Sequence, residues 1–155
     1  MKQDRFLMVI LGFIGILVVA AVALFFIRQE PQEYGDESTP EGIVRNYILA
    51  LQKEDFKQAY SYLQEGEEKP TYTTFQQMMI GMDMAQNGVQ LGTANIIDEE
   101  ATVELTIIHN SNSPFDRGWD ENALALLTLQ EDQWRVVNMP YPYWGWDWYP
   151  EPIKP

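Results

Sequence analysis

VQLGTANIIDEEATVELTIIH, Val89 to His109, decides the fold class, because the apolar period of the chain changes here from helical to alternating. Val89–Ile97 and Ala101–His109 are rich in β-branched residues and flank the polar turn Asp98-Glu99-Glu100, which predicts a hairpin. In the second run Ala101, Val103, Leu105 and Ile107 alternate with Thr102, Glu104 and Thr106, so one face is expected to be buried and the other wetter. Downstream, Asn110–Glu121 reads as a loop. Asn122–Gln130 and Trp134–Met139 read as two further strands around Glu131-Asp132-Gln133.

Upstream of the hairpin the signals are helical. Thr39 or Ser38 can cap a helix, Pro40 suits its first turn, and Ser38-x-x-Glu41 has capping-box spacing. Ile43, Val44, Tyr47, Ile48 and Leu51 share one face, with an end expected near Lys53-Glu54. Asp55, with Gln58 three residues on, opens a second helix carrying Phe56, Ala59, Tyr60 and Leu63. Thr73-x-x-Gln76 opens a third, with Phe75, Met78, Met79 and Met82 on its apolar side and an end expected at Asn87-Gly88. Helices first and hairpins second imply an α+β domain, three helices covering one face of a curved antiparallel sheet of about four strands.

Far upstream, FLMVILGFIGILVVAAVALFFI (Phe6–Ile27) runs 22 residues without a charge. A helix of that length reaches roughly 33 Å, enough for a hydrocarbon core of about 30 Å. Lys2, Arg5 and the small residues at Ala21-Val22-Ala23 fit a cleaved signal, but the apolar run continues past them, longer than such a signal requires. A lipoprotein signal needs a cysteine, and the chain has none. The expectation is an uncleaved single-pass anchor in the cell membrane, residues 1–28. Lys2 and Arg5 against Arg28 favour a cytoplasmic N-terminus and a domain outside. Residues 29–38 are polar and acidic and are expected to form a flexible stalk, about 35 Å at full extension. The domain proper is expected over 39–139, with an aromatic and proline-rich tail over 140–155.

After residue 28 the chain holds 7 Lys/Arg against 22 Asp/Glu, a net charge of −15. Nucleic acid and anionic lipid are repelled by such a surface, so neither is expected as a partner. The absence of cysteine leaves stability to the core, feasible at about 110 residues.

TPEGIVRNYILALQKEDFKQAYSYL (Thr39–Leu63) and EDQWRVVNM (Glu131–Met139) resemble the nuclear transport factor two-like superfamily, with its proline-capped helix, "ALxxxDF" step, "AYxxL" helix and "xGxWRV" closing strand. The resemblance covers roughly Thr39–Met139 and is to its membrane-anchored or lipoprotein bacterial members. Asp132-Gln133 stands where the usual glycine precedes Trp134. The resemblance implies a cone-like fold with a cavity between helices and sheet, used by relatives for catalysis, binding or dimerisation. A protein or small ligand in the cavity and a homodimer through the sheet face are the partners it implies.

His109 is the lone histidine and so the candidate general base, with Asp116 or Asp120 as its orienting carboxylate. A strand-end histidine in solvent or bonded to the loop is the plainer reading. Asn110, Asn112, Asp116, Asp120 and Glu121 are oxygen donors, but the calcium-loop spacing is absent. One histidine and no cysteine make no zinc site, and neither a phosphate-binding glycine loop nor a serine-nucleophile motif occurs. No cofactor or metal is expected. Met78, Met79, Met82 and Met84 read as core filler ahead of an adaptable binding groove. Tyr141, Tyr143, Trp144, Trp146, Trp148 and Tyr149 put six aromatics into a segment broken by proline and glycine. That segment is expected to fold back over the sheet, and it is the first candidate for recognition of a partner, a glycan or the membrane interface. The expected function is a non-catalytic, membrane-anchored extracytoplasmic binding module. Its alternatives are an isomerase- or dehydratase-type enzyme using His109 and a glycan binder using the tail.

Overall fold

A computed structural model describes residues 3–28, 33–82, 84, 87–109, 118–145 and 148. The chain divides into two compact units, Met1–Glu33 and Tyr34–Pro155. The first is helix α1 (Gln3–Arg28). Its Phe6–Leu24 stretch is long and apolar enough to cross a membrane, and its side chains are unburied.

The second unit runs α2 (Pro40–Gln52), α3 (Phe56–Ser61), α4 (Tyr72–Ile80), then β1 (Asn87–Ile97), β2 (Glu100–His109), β3 (Trp119–Gln130) and β4 (Gln133–Asn138). The strands form one antiparallel sheet in sequence order. The α+β class read from the periodicity is the observed one.

Thr39 caps α2 alone, its Oγ1 accepting from the Gly42 amide at 3.1 Å. The capping box from Ser38 does not form. Ser38 donates its amide and hydroxyl to Asp36 at 2.8 and 2.9 Å, and these bonds hold the Asp36 carboxyl below the usual range. Glu41 is drawn elsewhere: it accepts the Ala94 amide at 2.9 Å, where a register shift between Leu91 and Ala94 frees that donor from the β1–β2 ladder.

Residues 34–38, read from sequence as stalk, are tied to the domain. Asn46, fully buried on α2, accepts the Gly35 amide at 2.7 Å and donates to the Gly35 carbonyl at 3.1 Å. Tyr62 donates to Glu37 at 2.6 Å, and Lys53 lies over the Tyr34 ring at 4.9 Å. Gly42 permits this strap, since a Cβ there would fall 1.7 Å from the Asp36 carbonyl oxygen.

Three boundaries differ from expectation, one because of a local cap and two because of strand pairing. Helix α4 begins at Tyr72 because Thr71 Oγ1 takes the Thr74 amide at 3.3 Å. It ends at Ile80, and Asn87-Gly88, read as a turn, instead opens β1 opposite His109 and Ile108. Strand β3 begins at Trp119, three residues before the expected Asn122, because its first residues continue the ladder along β2. The β3–β4 turn places Glu131 and Asp132 at φ 52° and 60°, as a two-residue hairpin turn requires.

The core lies between the helices and one sheet face. Val44, Tyr47 and Leu51 from α2, Ala59 from α3, and Phe75 and Met79 from α4 meet Val103, Leu105, Leu127, Trp134 and Val136. The free edge of β4 is covered, with the Gln64 amide donating to the Val136 carbonyl at 2.9 Å and the Val136 amide to Tyr62 at 2.8 Å.

Candidate functional site

The space that could have been a cavity between helices and sheet is closed by the chain's own aromatics. Tyr143, Trp144 and Trp148 are buried in the same core as Tyr47 and Phe75. The Tyr47 hydroxyl donates to the Tyr143 carbonyl at 2.8 Å. Phe75 stacks on Trp148 with centroids 5.3 Å apart, and Trp144 meets Trp148 edge-on at 5.2 Å. Gly145 lets the segment close, since a Cβ there would lie 2.4 Å from the Trp148 ring and 2.5 Å from Met78 Sδ. Burial pushes the Tyr143 phenol up, and Gln52 offsets part of that rise. Among the described residues, Trp148 Nε1 is buried without a hydrogen-bond partner. Among the described aromatics of this segment Tyr141 is the exposed one, at 69%. Trp146 and Tyr149 lie outside the described residues.

A groove of about 590 Å³ opens where the end of α2, the start of α3 and the end of α4 meet the entry to β1. Its floor is Leu51, Met79 and Met84, all buried, and its walls are the half-buried Phe56 and Met82. Ile80, 65% exposed, and Gln52, Glu54 and Asn87 form the rim. Three of the four methionines noted in the sequence therefore line a groove, while Met78 packs against the core. From sequence Leu51 and Phe56 read as helix-face residues and Glu54 as a helix end, and none of these, nor Gln52, as part of a site. The available signal was the helix end at Lys53-Glu54, where an acidic residue stands at the position glycine usually takes.

The histidine is elsewhere. His109 Nε2 lies 3.4 Å from Glu121 Oε2, and its ring stacks on Trp119 at 3.9 Å with planes 16° apart. Register explains this pairing. His109 faces Trp119 across the ladder, so Glu121 falls on the same face and Asp120, opposite Ile108, on the other. Asp116, Asn110 and Asn112 lie outside the described residues. Trp119 is 59% exposed, so the pair sits at an open sheet end. Among the described residues, no three His, Asp or Glu side chains converge on a point that could hold a metal ion.

On the strap side, Tyr62 donates to Glu37 and accepts from Gln58 Nε2 at 2.7 Å. Burial, reinforced by the bond to Glu37, pushes its phenol up to about 12.

No family model matches this chain, and no curated protein does. Among solved structures it is similar to a SEC-C motif containing protein from Rhodopseudomonas palustris, at 12% identity over 66% of this chain and 77% of that one, with a TM-score of 0.49. It is also similar to a protein described as an NTF2-like transpeptidase from Campylobacter jejuni, at 17% identity over 63% and 96%, with a TM-score of 0.44. An LEH-like epoxide hydrolase from M. tuberculosis is a third, at 17% identity over 66% and 81%, with a TM-score of 0.38. At such identities and TM-scores the likeness assigns no activity.

Proposed function

We propose that this chain is a membrane-anchored binding module whose α1 is an uncleaved single-pass anchor. In this reading the N-terminus is cytoplasmic, Tyr34–Pro155 faces outside, and the groove between α2, α3 and α4 receives the ligand. One observation carries it: the interior is packed with Tyr143, Trp144 and Trp148, while a methionine-lined groove stays open on the surface. Methionine adapts its shape to a bound apolar group, and the groove volume is within the range of small-ligand sites, about 300–1,000 Å³.

The ligand test uses the full chain with ¹³C-labelled methionine methyls in phosphatidylcholine nanodiscs, titrated with the neutral probe 4-phenylbutanol. Met79, Met82 and Met84 should shift together, and Ile80→Asp should suppress the shifts. Saturation without movement of these three would remove the groove from consideration. Because the chain lacks cysteine, topology is read from one introduced thiol. A Glu67→Cys variant should react with an impermeant maleimide on intact cells; protection until lysis would reverse the orientation.

The enzymatic alternative has a specific pair to test, His109 with Glu121. Its location at an open sheet end, beside a half-exposed tryptophan, offers little exclusion of water, which weighs against it. Among the described tail residues the glycan alternative rests on Tyr141, since Trp144 and Trp148 are enclosed.

A further inference from the structure

We infer that the groove takes a small apolar ligand bearing one positive charge, an aryl- or alkyl-ammonium, with Glu54 as its counter-ion. This rests on the groove being the binding site, and it adds the chemical class. Among the described lining residues Glu54 is the only charged side chain, set at the rim of an otherwise neutral and largely apolar surface. Among the described residues no ion pair engages its carboxylate. The chain's net charge of −13 draws cations toward that surface and repels anions.

A second observation comes from the backbone. Helix α2 ends in a Schellman motif, with the Asp55 amide donating to the Ala50 carbonyl at 2.8 Å and the Glu54 amide to Leu51 at 3.0 Å. Glu54 occupies the left-handed position of that motif, at φ 57°. Glycine is the usual residue there because a side chain is sterically disfavoured. Asp98, Glu131 and Asp132 share the positive φ but belong to hairpin turns, whereas Glu54 lines the groove. A carboxylate held against backbone preference at the lip of an apolar groove is suited to charge recognition. Methionine sulfurs on the wall and floor would contact the apolar body, with an aromatic ring favoured by S–aromatic contacts.

The test is the same methionine-methyl titration of the full chain in phosphatidylcholine nanodiscs, corrected against empty discs, with three isosteric probes. 4-Phenylbutylammonium should bind about threefold more tightly than 4-phenylbutanol, and 4-phenylbutanoate most weakly, with the cation's advantage shrinking in salt. Glu54→Gln should abolish that advantage while alcohol binding persists. Glu54→Gly, which removes the carboxylate and relaxes the backbone, should do the same. Equal binding of cation and alcohol to the parent chain overturns the charge assignment and leaves the groove standing. Retained preference in both variants overturns it likewise. If none of the three probes moves Met79, Met82 and Met84, the groove reading falls and this inference with it.

Discussion

Two regions of the same helix pair make a useful contrast. On one side of α2 and α4, Tyr47 and Phe75 meet Trp144 and Trp148, and the space between helices and sheet is filled. On the other, Leu51 and Met79 meet Met82 and Met84, and a groove remains. Rigid aromatic rings, which lose little rotamer freedom, close one space; flexible methionines leave the other adaptable. The difference separates stability from recognition, and the variants that follow are chosen to move one without the other.

Trp148→Ala should have the largest effect, a loss of about 3–5 kcal/mol in chemical denaturation, because it empties a buried ring from the core. In the surviving folded fraction the probe should still shift Met82 and Met84. Loss of groove binding at matched folded population would break the contrast.

Asn46→Ala comes next. It strands the Gly35 amide and carbonyl against the domain and should cost about 1–3 kcal/mol. Hydrogen exchange at residues 34–38 should accelerate while exchange in β2 and β3 changes only with the global stability. Unchanged exchange at Gly35 would mean that the strap does not depend on this pair.

Tyr62 supplies the pH-dependent case. Its folded phenol is raised to about 12 from an ordinary value of 10.0, so the folded state holds that proton more firmly than the unfolded state. Its stabilising contribution is therefore complete below about pH 10 and is lost as pH rises through 12. Tyr62→Phe should flatten this alkaline decline, and difference spectra at the phenolate band should show one fewer late-titrating group. An unaltered alkaline limb in the variant would contradict the shift.

Glu54→Gly is the smallest change and carries the opposite sign. Relief of the left-handed side chain should raise stability by about 0.5–1 kcal/mol, read as a higher denaturation midpoint at unchanged slope. A decrease would mean that the carboxylate supports the fold.

How far these features could be read in the chain depends on the range of the interactions that set them. The order of helices then hairpins was legible because Ile43–Leu51 and Ala101–Ile107 have unambiguous periods, 3.6 and 2. Local caps at Thr39 and Asp55 were legible for the same reason, being set within four residues. Asn87-Gly88 misled because its turn propensity is overridden by pairing with Ile108 and His109. The carboxylate beside His109 depends on strand register, which selects Glu121 over Asp120 by parity alone. The strap was read as stalk because its acidic composition hides the contribution of Asn46, eleven residues away from Gly35. Of the groove, only the methionines stood out, since its rim is assembled from three helix ends that meet only in the fold.

The contrast between filled interior and open groove is tested most directly by a single titration that observes both at once. With the full chain in nanodiscs, ¹³C methyls of Met79, Met82 and Met84 and the indole signals of Trp144 and Trp148 are followed as 4-phenylbutylammonium is added. The account predicts saturable shifts at the methionines with both indoles essentially still. Movement of the indoles with silent methionines would place the ligand in the interior and contradict it.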